Sequence, residues 1–397
     1  MADAEREAWI TGIGMASCLG EGVETHWQAL NAPPPGANAT LFPPYLIHPL
    51  TPLDFDKQIP KKGDQRQMEP WQRIGTYTAG LALDSAGIKG NTEILSRTDM
   101  IICAGGGERD LAVDAAVMTG LPKATDPGTF LNERLTSDLR PTLFLAQLSN
   151  LLAGNISIVH GVIGSSRTFM GEEAAGIDAL RISLSRIVAG QSDISLVGGS
   201  YNAERPDLIM LHEVADLMLK DKFKTVWARG PKGGHAFGTI GAFLVLEERA
   251  HAEKRGAKPF ARLKAVVSDR SRRQPGDITA ALDKLWDEIS RDISPGALAV
   301  LSGATGAEPA TGEERAFLKK HPELVVRATG TYLGHGLEPQ FPMNVGIAAL
   351  AIRHGSLFPP ADSTGLEQPM TGAPQLVMVT GVGHWRGEGL ALVEAVT

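Results

Sequence analysis

Cysteine is nearly absent from this chain. Cys18 and Cys103 are the only two among 397 residues, too few for a disulfide framework or a cysteine-based zinc site. The ten histidines are scattered, and none follows the close spacing of the common zinc motifs. We therefore expect neither a bound metal nor a cofactor.

Long apolar runs and dense basic blocks are also missing. No run approaches the roughly 18 apolar residues of a membrane span, and the polar residues 1–9 do not resemble a signal peptide. A formal charge of −7 argues against nucleic-acid binding. The only basic clusters, residues 222–229 and 270–273, are read as solvated loops, with docking of an acidic carrier protein as the alternative. We expect a cytoplasmic protein without membrane spans.

What is present is an alternation of short apolar runs and helical periodicities. Residues 99–104, 156–159, 194–197 and 242–247 predict buried strands, and residues 172–190 predict a long helix. Residues 8–11 predict a strand that enters a glycine turn at 12–14, although the third glycine of a dinucleotide fingerprint is replaced. The pattern is typical of an α/β protein.

The second part of the chain repeats this alternation. Strands near 261–267, 298–301 and 376–380 are separated by helices at 278–293, 313–320 and 343–354. A charged stretch at 248–258 separates the two parts. We predict an internal duplication with an N-terminal half at 1–250 and a C-terminal half at 251–397.

Several segments in the same order resemble β-ketoacyl-acyl-carrier-protein synthases, the ketosynthase branch of the thiolase superfamily. The segments are residues 10–14, 150–164, 189–200, 237–250, 330–335 and 354–360. The resemblance implies a five-layer αβαβα fold built from two α/β halves. It also implies a dimer whose interface is formed around the half that bears the nucleophile.

The resemblance further implies a cysteine nucleophile at a helix N-terminus, two histidines and a lysine. The family's C-A-T/S-G block matches residues 168–171, which puts Thr168 at the cysteine. The first histidine corresponds to Gly303 or Ala304, and the lysine to Gly330. Only His335 is retained, in Gly334-His335-Gly336.

Other positions of the implied site also differ. Phe169 and Met170 replace small residues beside the acyl tunnel, and we expect their bulk to fill it. Val382 stands at the family's gate phenylalanine. Thr168 has a second interpretation as the N-cap of the helix, since carboxylates follow it in the first turns. Arg167 beside it requires a carboxylate partner if it points inward.

The resemblance therefore implies a ketosynthase-like subunit that has lost condensing activity. It would be similar to chain-length-factor subunits of fatty-acid or polyketide systems. Its expected partners are an acyl carrier protein and either an active ketosynthase, in a heterodimer, or a second copy of itself, in a homodimer. The alternative is an active synthase or acyltransferase that uses Thr168 or Ser166 with His335. A third hypothesis is a carrier- or lipid-binding module that docks through Lys220, Lys222 and Lys224.

Overall fold

The computed structural model describes residues 6–139, 145, 147–293 and 298–396. Its strands form one large mixed sheet and a small sheet of β3, β4 and β8. The strands are β1 (Ala8–Ser17), β2 (Gly20–Glu21), β3 (Asn38–Phe42), β4 (Tyr45–His48), β5 (Asp99–Cys103), β6 (Ser166–Phe169), β7 (Ile194–Tyr201), β8 (Phe237–Gly238), β9 (Ile240–Glu248), β10 (Ala261–Asp269), β11 (Leu298–Ser302), β12 (Val325–Ala328), β13 (Leu376–Val382) and β14 (Glu388–Glu394).

Helices separate many of these strands along the chain, in line with the predicted alternation. They are α1 (Val23–Leu30), α2 (Lys62–Gln67), α3 (Pro70–Ser85), α4 (Thr92–Arg97), α5 (Leu111–Gly120), α6 (Pro127–Ser137), α7 (Leu151–His160), α8 (Glu172–Val188), α9 (Pro206–Val214), α10 (Arg249–Lys254), α11 (Asp277–Ile289), α12 (Ala310–Lys319), α13 (Gly330–Leu333) and α14 (Gln340–His354). None of these described helices is both long and apolar enough to cross a membrane.

The strand order of the large sheet is repeated. One half runs β1-β9-β7-β5-β6, and the other runs β10-β14-β13-β11-β12. In each half, in the order given, the first two strand pairings are antiparallel and the last two are parallel. The two halves join where β1 pairs with β10. This repeat agrees with the predicted duplication, while the boundary near residue 250 stays a prediction.

The layers follow from which helices contact which half. Helices α8 and α14 contact each other and strands of both halves, so they form the middle layer. Helix α3 packs on the first half, and α11 packs with α12 on the second. The expected αβαβα fold is therefore confirmed.

Two local predictions are wrong. Strand β1 continues through residues 12–14 without a turn. Its glycines are required for packing instead, because a Cβ on Gly14 would lie 2.0 Å from the backbone oxygen of Thr78 in α3. Residues 156–159 are helical, inside α7, because a short apolar run does not distinguish a buried strand from a buried helix.

Candidate functional site

The middle-layer helix α8 begins at a sharp bend. Gly171 precedes it with φ 135°, and Glu172, its first residue, has φ 49°. Left-handed backbone at a residue other than glycine or asparagine is costly and recurs at functional sites. The bend turns the side chain of the second residue, Glu173, toward the protein interior, where it is 5 % exposed.

The prediction that Thr168 caps this helix is wrong. Thr168 lies in β6, where it pairs with Ile102 of β5, and Gly171 occupies the N-cap position. The extended conformation of residues 166–169 completes the sheet edge before the chain bends. The residue that the helix tip presents to His335 is therefore Glu173, not Thr168.

Glu173 and His335 form a buried pair. The Nε2 atom of His335 lies 2.8 Å from Oε1 of Glu173, and His335 is 2 % exposed. Burial alone raises the pKa of Glu173. The hydrogen bond and charge of His335, with a contribution from His384, outweigh this effect and lower the pKa to about 2. The carboxylate is ionised, and its position in the first turn of α8 favours the negative charge.

Backbone hydrogen bonds fix the loop that carries His335. Its N–H donates to the carbonyl of Ala236 at 2.8 Å, and its carbonyl accepts from Gly238 at 2.9 Å. This short bridge to β8 keeps the imidazole over the tip of α8. That His335 takes part in catalysis stays a prediction.

Three more histidines surround the pair. The ring of His384 lies 5.7 Å from that of His335, and His235 lies 5.1 Å and 5.2 Å from His335 and His384. His212 contacts His235 at 4.9 Å. Burial lowers the pKa of His384 to about 4 and that of His212 to about 3, and it lowers the pKa of His235 well below its usual value. These three imidazoles are therefore neutral at pH 7.

The two positions expected to have lost a histidine and a lysine are closed by backbone. A Cβ on Gly303 would lie 2.6 Å from the carbonyl oxygen of Thr380, and one on Gly330 would lie 2.9 Å from that of Ala304. Side chains cannot enter either position without movement of the main chain. Ala304, the other candidate for the first histidine, is buried at 3 % exposure.

Restoring the family residues at these glycines is expected to destabilise the protein. Gly303→His and Gly330→Lys should each lower the free energy of unfolding by about 1–3 kcal/mol, because the added atoms overlap backbone. Urea denaturation measures the change. Gly63→Ala is the control, since its Cβ would meet nothing within 4 Å. A restored variant as stable as the parent protein would contradict the described packing.

Neither cysteine offers a reactive thiolate. Burial raises the pKa of Cys18 to about 12 and raises that of Cys103 well above its usual value. Cys18 donates to the carbonyl of Tyr332 at 3.3 Å, and Cys103 donates to the carbonyl of Glu338 at 3.4 Å. Both thiols are protonated at neutral pH and serve packing rather than chemistry.

A cavity of about 190 Å³ adjoins the histidine cluster. Its lining includes His212, Glu172 and Glu338 together with apolar and aromatic groups, among them Met170 and Trp385. Met170 is 64 % exposed and lines this space, whereas Phe169 packs against the central core. Of the two large side chains expected to fill the tunnel, Phe169 therefore lies against the core and Met170 lies in the cavity wall.

The remaining residues singled out in the sequence, Val382, Arg167 and the basic cluster at 222–229, are not members of the histidine cluster. Val382 ends β13, buried in the core of the second half, and the chain then brings His384 into the cluster. Arg167 is exposed and donates to Oγ of Ser165, so it needs no buried carboxylate. One of the expected solvated basic residues is not solvated: Arg229 is 5 % exposed and donates to backbone carbonyls.

Sequence reasoning missed Glu173, His384, His235 and His212. Glu173 and Gly176 have the same spacing as the cysteine and glycine of the family block, so a second alignment five residues later was available. His384 follows the gate turn directly. Nothing in the local sequence marks His212 and His235, because they belong to different segments that only the fold brings together.

Comparisons with known proteins identify the family and the fold. The family model "Beta-ketoacyl synthase, N-terminal domain" matches residues 5–252. The curated 3-oxoacyl-[acyl-carrier-protein] synthase 2 of Vibrio cholerae is 26 % identical over 268 residues, which cover 65 % of this chain and 62 % of that enzyme. The alignment thus spans less than two thirds of the relative.

Two solved structures share the fold over nearly the whole chain. The ishigamide ketosynthase/chain length factor superposes with a TM-score of 0.82 at 19 % identity, covering 99 % of this chain and 100 % of that one. The complex AntDE:AntF, a type II polyketide acyl-carrier protein with its ketosynthase, gives 0.74 at 16 % identity, with coverages of 99 % and 100 %.

Proposed function

Because this chain belongs to the β-ketoacyl synthase family, we propose that it is a ketosynthase-like subunit of fatty-acid or polyketide biosynthesis without condensing activity of its own. It pairs with an active ketosynthase, in the manner of a chain length factor. One observation carries the proposal. The helix tip that faces His335 presents the carboxylate of Glu173, 2.8 Å from the imidazole, where the family's reaction needs a thiolate.

The chemistry of a carboxylate supports the loss of condensation. Acyl transfer from a carrier thioester to Glu173 would give an anhydride, which is more reactive than the thioester, so the transfer is unfavourable. A carboxylate with a pKa of about 2 is also a weak nucleophile. The alternative nucleophiles Thr168 and Ser166 lie in strand β6, and among the described residues His335 bonds to Glu173 rather than to either hydroxyl.

An open sheet edge supports pairing with another subunit. In the part of the chain that the structure describes, β6 is the last strand of its half and pairs only with β5. Ile163 and Met170, which flank β6 in the sequence, are 63 % and 64 % exposed, and Ile158 in α7 is 73 % exposed. An unpaired strand edge with apolar neighbours is suited to a partner's strand. We propose an active ketosynthase as that partner, because it supplies the cysteine that this site lacks.

An acyl carrier protein completes the proposed assembly. One structural neighbour is itself described as a ketosynthase bound to a type II acyl-carrier protein. Lys222 and Lys224 are exposed and available to an acidic carrier, whereas Lys220 pairs with Glu213 at 2.5 Å. Binding of the carrier protein to the proposed heterodimer therefore depends on Lys222 and Lys224.

Co-expression with the ketosynthase encoded nearest to it tests the proposal. We expect a 1:1 complex, a changed product chain length, and no condensation by this chain alone with acyl- and malonyl-carrier substrates. Ile163→Arg at the open edge should disrupt the complex, whereas Leu41→Arg, another exposed apolar position, should not. The proposal is wrong if the purified chain catalyses condensation by itself, or if it does not associate with the ketosynthase.

A further inference from the structure

We propose that Glu173, His335 and His384 form a binding site for a divalent transition-metal ion, with Zn²⁺ as the best fit. One potential ligand atom from each residue lies within 4.8 Å of the other two. Zinc bonds of about 2.0–2.1 Å in a tetrahedral site place ligand atoms roughly 3.4 Å apart, so small side-chain rotations bring the three onto one ion. The site goes beyond the proposed function and does not depend on it.

The ligand set itself favours zinc and its neighbours. Two imidazoles and one carboxylate suit Zn²⁺, Fe²⁺ or Co²⁺, whereas Mg²⁺ and Ca²⁺ prefer oxygen ligands alone. All three side chains are buried, with 5 %, 2 % and 8 % exposure in the order Glu173, His335, His384. Two further carboxyl groups, Glu172 and Glu338, lie near enough to interact electrostatically with Glu173. In their ionised form these carboxyl groups add negative potential that attracts a cation.

The surroundings of His384 leave its Nδ1 atom available to a metal ion. Its Nε2 lies 3.1 Å from the hydroxyl of Thr305, while its Nδ1 is buried without a hydrogen-bond partner among the described residues. When Nε2 donates to the hydroxyl, Nδ1 is unprotonated and its lone pair accepts no hydrogen bond, so it is free to bind a metal ion. Metal-binding histidines characteristically have their second nitrogen held in this way.

His235 provides a second, independent observation. It is fully buried, and in the part of the protein that is described neither of its ring nitrogens has a hydrogen-bond partner. Leaving a buried polar atom unsatisfied costs about 1–3 kcal/mol. Its ring lies 5.1 Å and 5.2 Å from those of His335 and His384, so it faces the same point. A water in the fourth coordination position of the ion could donate to the unprotonated ring nitrogen of His235 and so satisfy one of its two nitrogens.

The three ligands come from the tip of α8, the loop before α14 and the turn after β13. Short spacing motifs such as those used in the sequence analysis cannot reveal a site assembled from such distant segments. The expectation that the chain has no metal site followed from that limit. The fold, by placing α8 between the two halves, brings the segments together.

Metal titration of the full-length protein tests the proposal. After EDTA treatment and removal of the chelator, we expect the chain to bind one Zn²⁺ per molecule with submicromolar affinity. Co²⁺ should bind in its place and give the intense visible absorption of a four-coordinate ion, and excess Mg²⁺ should displace neither. Elemental analysis measures the stoichiometry. Failure of the unmodified protein to bind Zn²⁺, or binding without the four-coordinate Co²⁺ spectrum, overturns the proposal.

Matched variants locate the ion. Glu173→Gln and His384→Asn should each weaken Zn²⁺ binding at least 100-fold, and Thr305→Val, which removes only the outer hydrogen bond, by about 10–100-fold. His321→Asn is the control, a partly exposed histidine outside the cluster that lies 3.5 Å from the carboxylate of Glu323. Circular dichroism checks that each variant is folded. Unchanged binding in Glu173→Gln and His384→Asn, or an equal loss of binding in the control, overturns the assignment.

Discussion

Glu173→Ala is expected to lower the free energy of unfolding by about 2–5 kcal/mol, because it leaves the buried imidazole of His335 without its hydrogen-bond partner and opens a cavity. The carboxylate is 5 % exposed and accepts from His335 at 2.8 Å. Without it, both ring nitrogens of His335 lack a partner within the described structure, since Nδ1 has none already. The alanine also leaves a cavity at the junction of α8 and the His335 loop.

Urea denaturation at pH 7 with EDTA present measures this effect without any contribution from metal. Glu173→Gln should cost less than the alanine variant, because its amide oxygen can still accept from Nε2 of His335. Glu253→Ala is the control: that carboxylate pairs with Arg249 on the surface, where its side chain is 50 % exposed, and its loss should change stability by no more than about 0.5 kcal/mol. Equal effects of Glu173→Ala and the control would mean that the buried pair contributes no stability.

Glu338→Gln is expected to stabilise the protein at alkaline pH. Glu338 is 4 % exposed, and burial, reinforced by the charges of Glu173 and Glu172, raises its pKa from 4.5 to about 7. The folded state therefore binds a proton that the unfolded state has already lost between these two values. Stability consequently falls as pH rises from 4.5 to 7, by up to about 3 kcal/mol from this group.

The glutamine variant removes this dependence. At pH 8 it should be more stable than the parent protein by about 2–3 kcal/mol, and near pH 4 the two should be equal, because both side chains are then neutral. Denaturation at the two pH values measures the difference. Glu133→Gln, at an exposed position in α6, is the control and should show no such trend. A variant that is less stable than the parent at pH 8 would contradict the burial argument.

The sequence predicts much of the fold because its elements have clear periodicity and stops. The long helix predicted at 172–190 is observed as α8, and the helix predicted at 343–354 lies within α14. The errors occur where local pattern is ambiguous. Residues 156–159 have the composition of a strand but belong to a helix, and Gly12 and Gly14 serve helix packing rather than a turn.

The candidate site is predicted less completely, and for a physical reason. His335 lies in a recognisable glycine turn, but its partner Glu173 is displaced by five residues from the position that the motif alignment selected. Motif alignment cannot show where a strand ends and a helix begins. His235 and His384 join the cluster only through β8 and the turn after β13, so their proximity is a property of the tertiary structure.

The left-handed backbone at Glu172 has one more consequence. Because main-chain torsion aims the next side chain inward, whichever amino acid occupies position 173 is directed at the same imidazole. We therefore expect a thiol or an amide introduced at this position to face His335 as the carboxylate does, at some cost in stability. A single codon decides whether this architecture presents an acyl acceptor or a fixed negative charge.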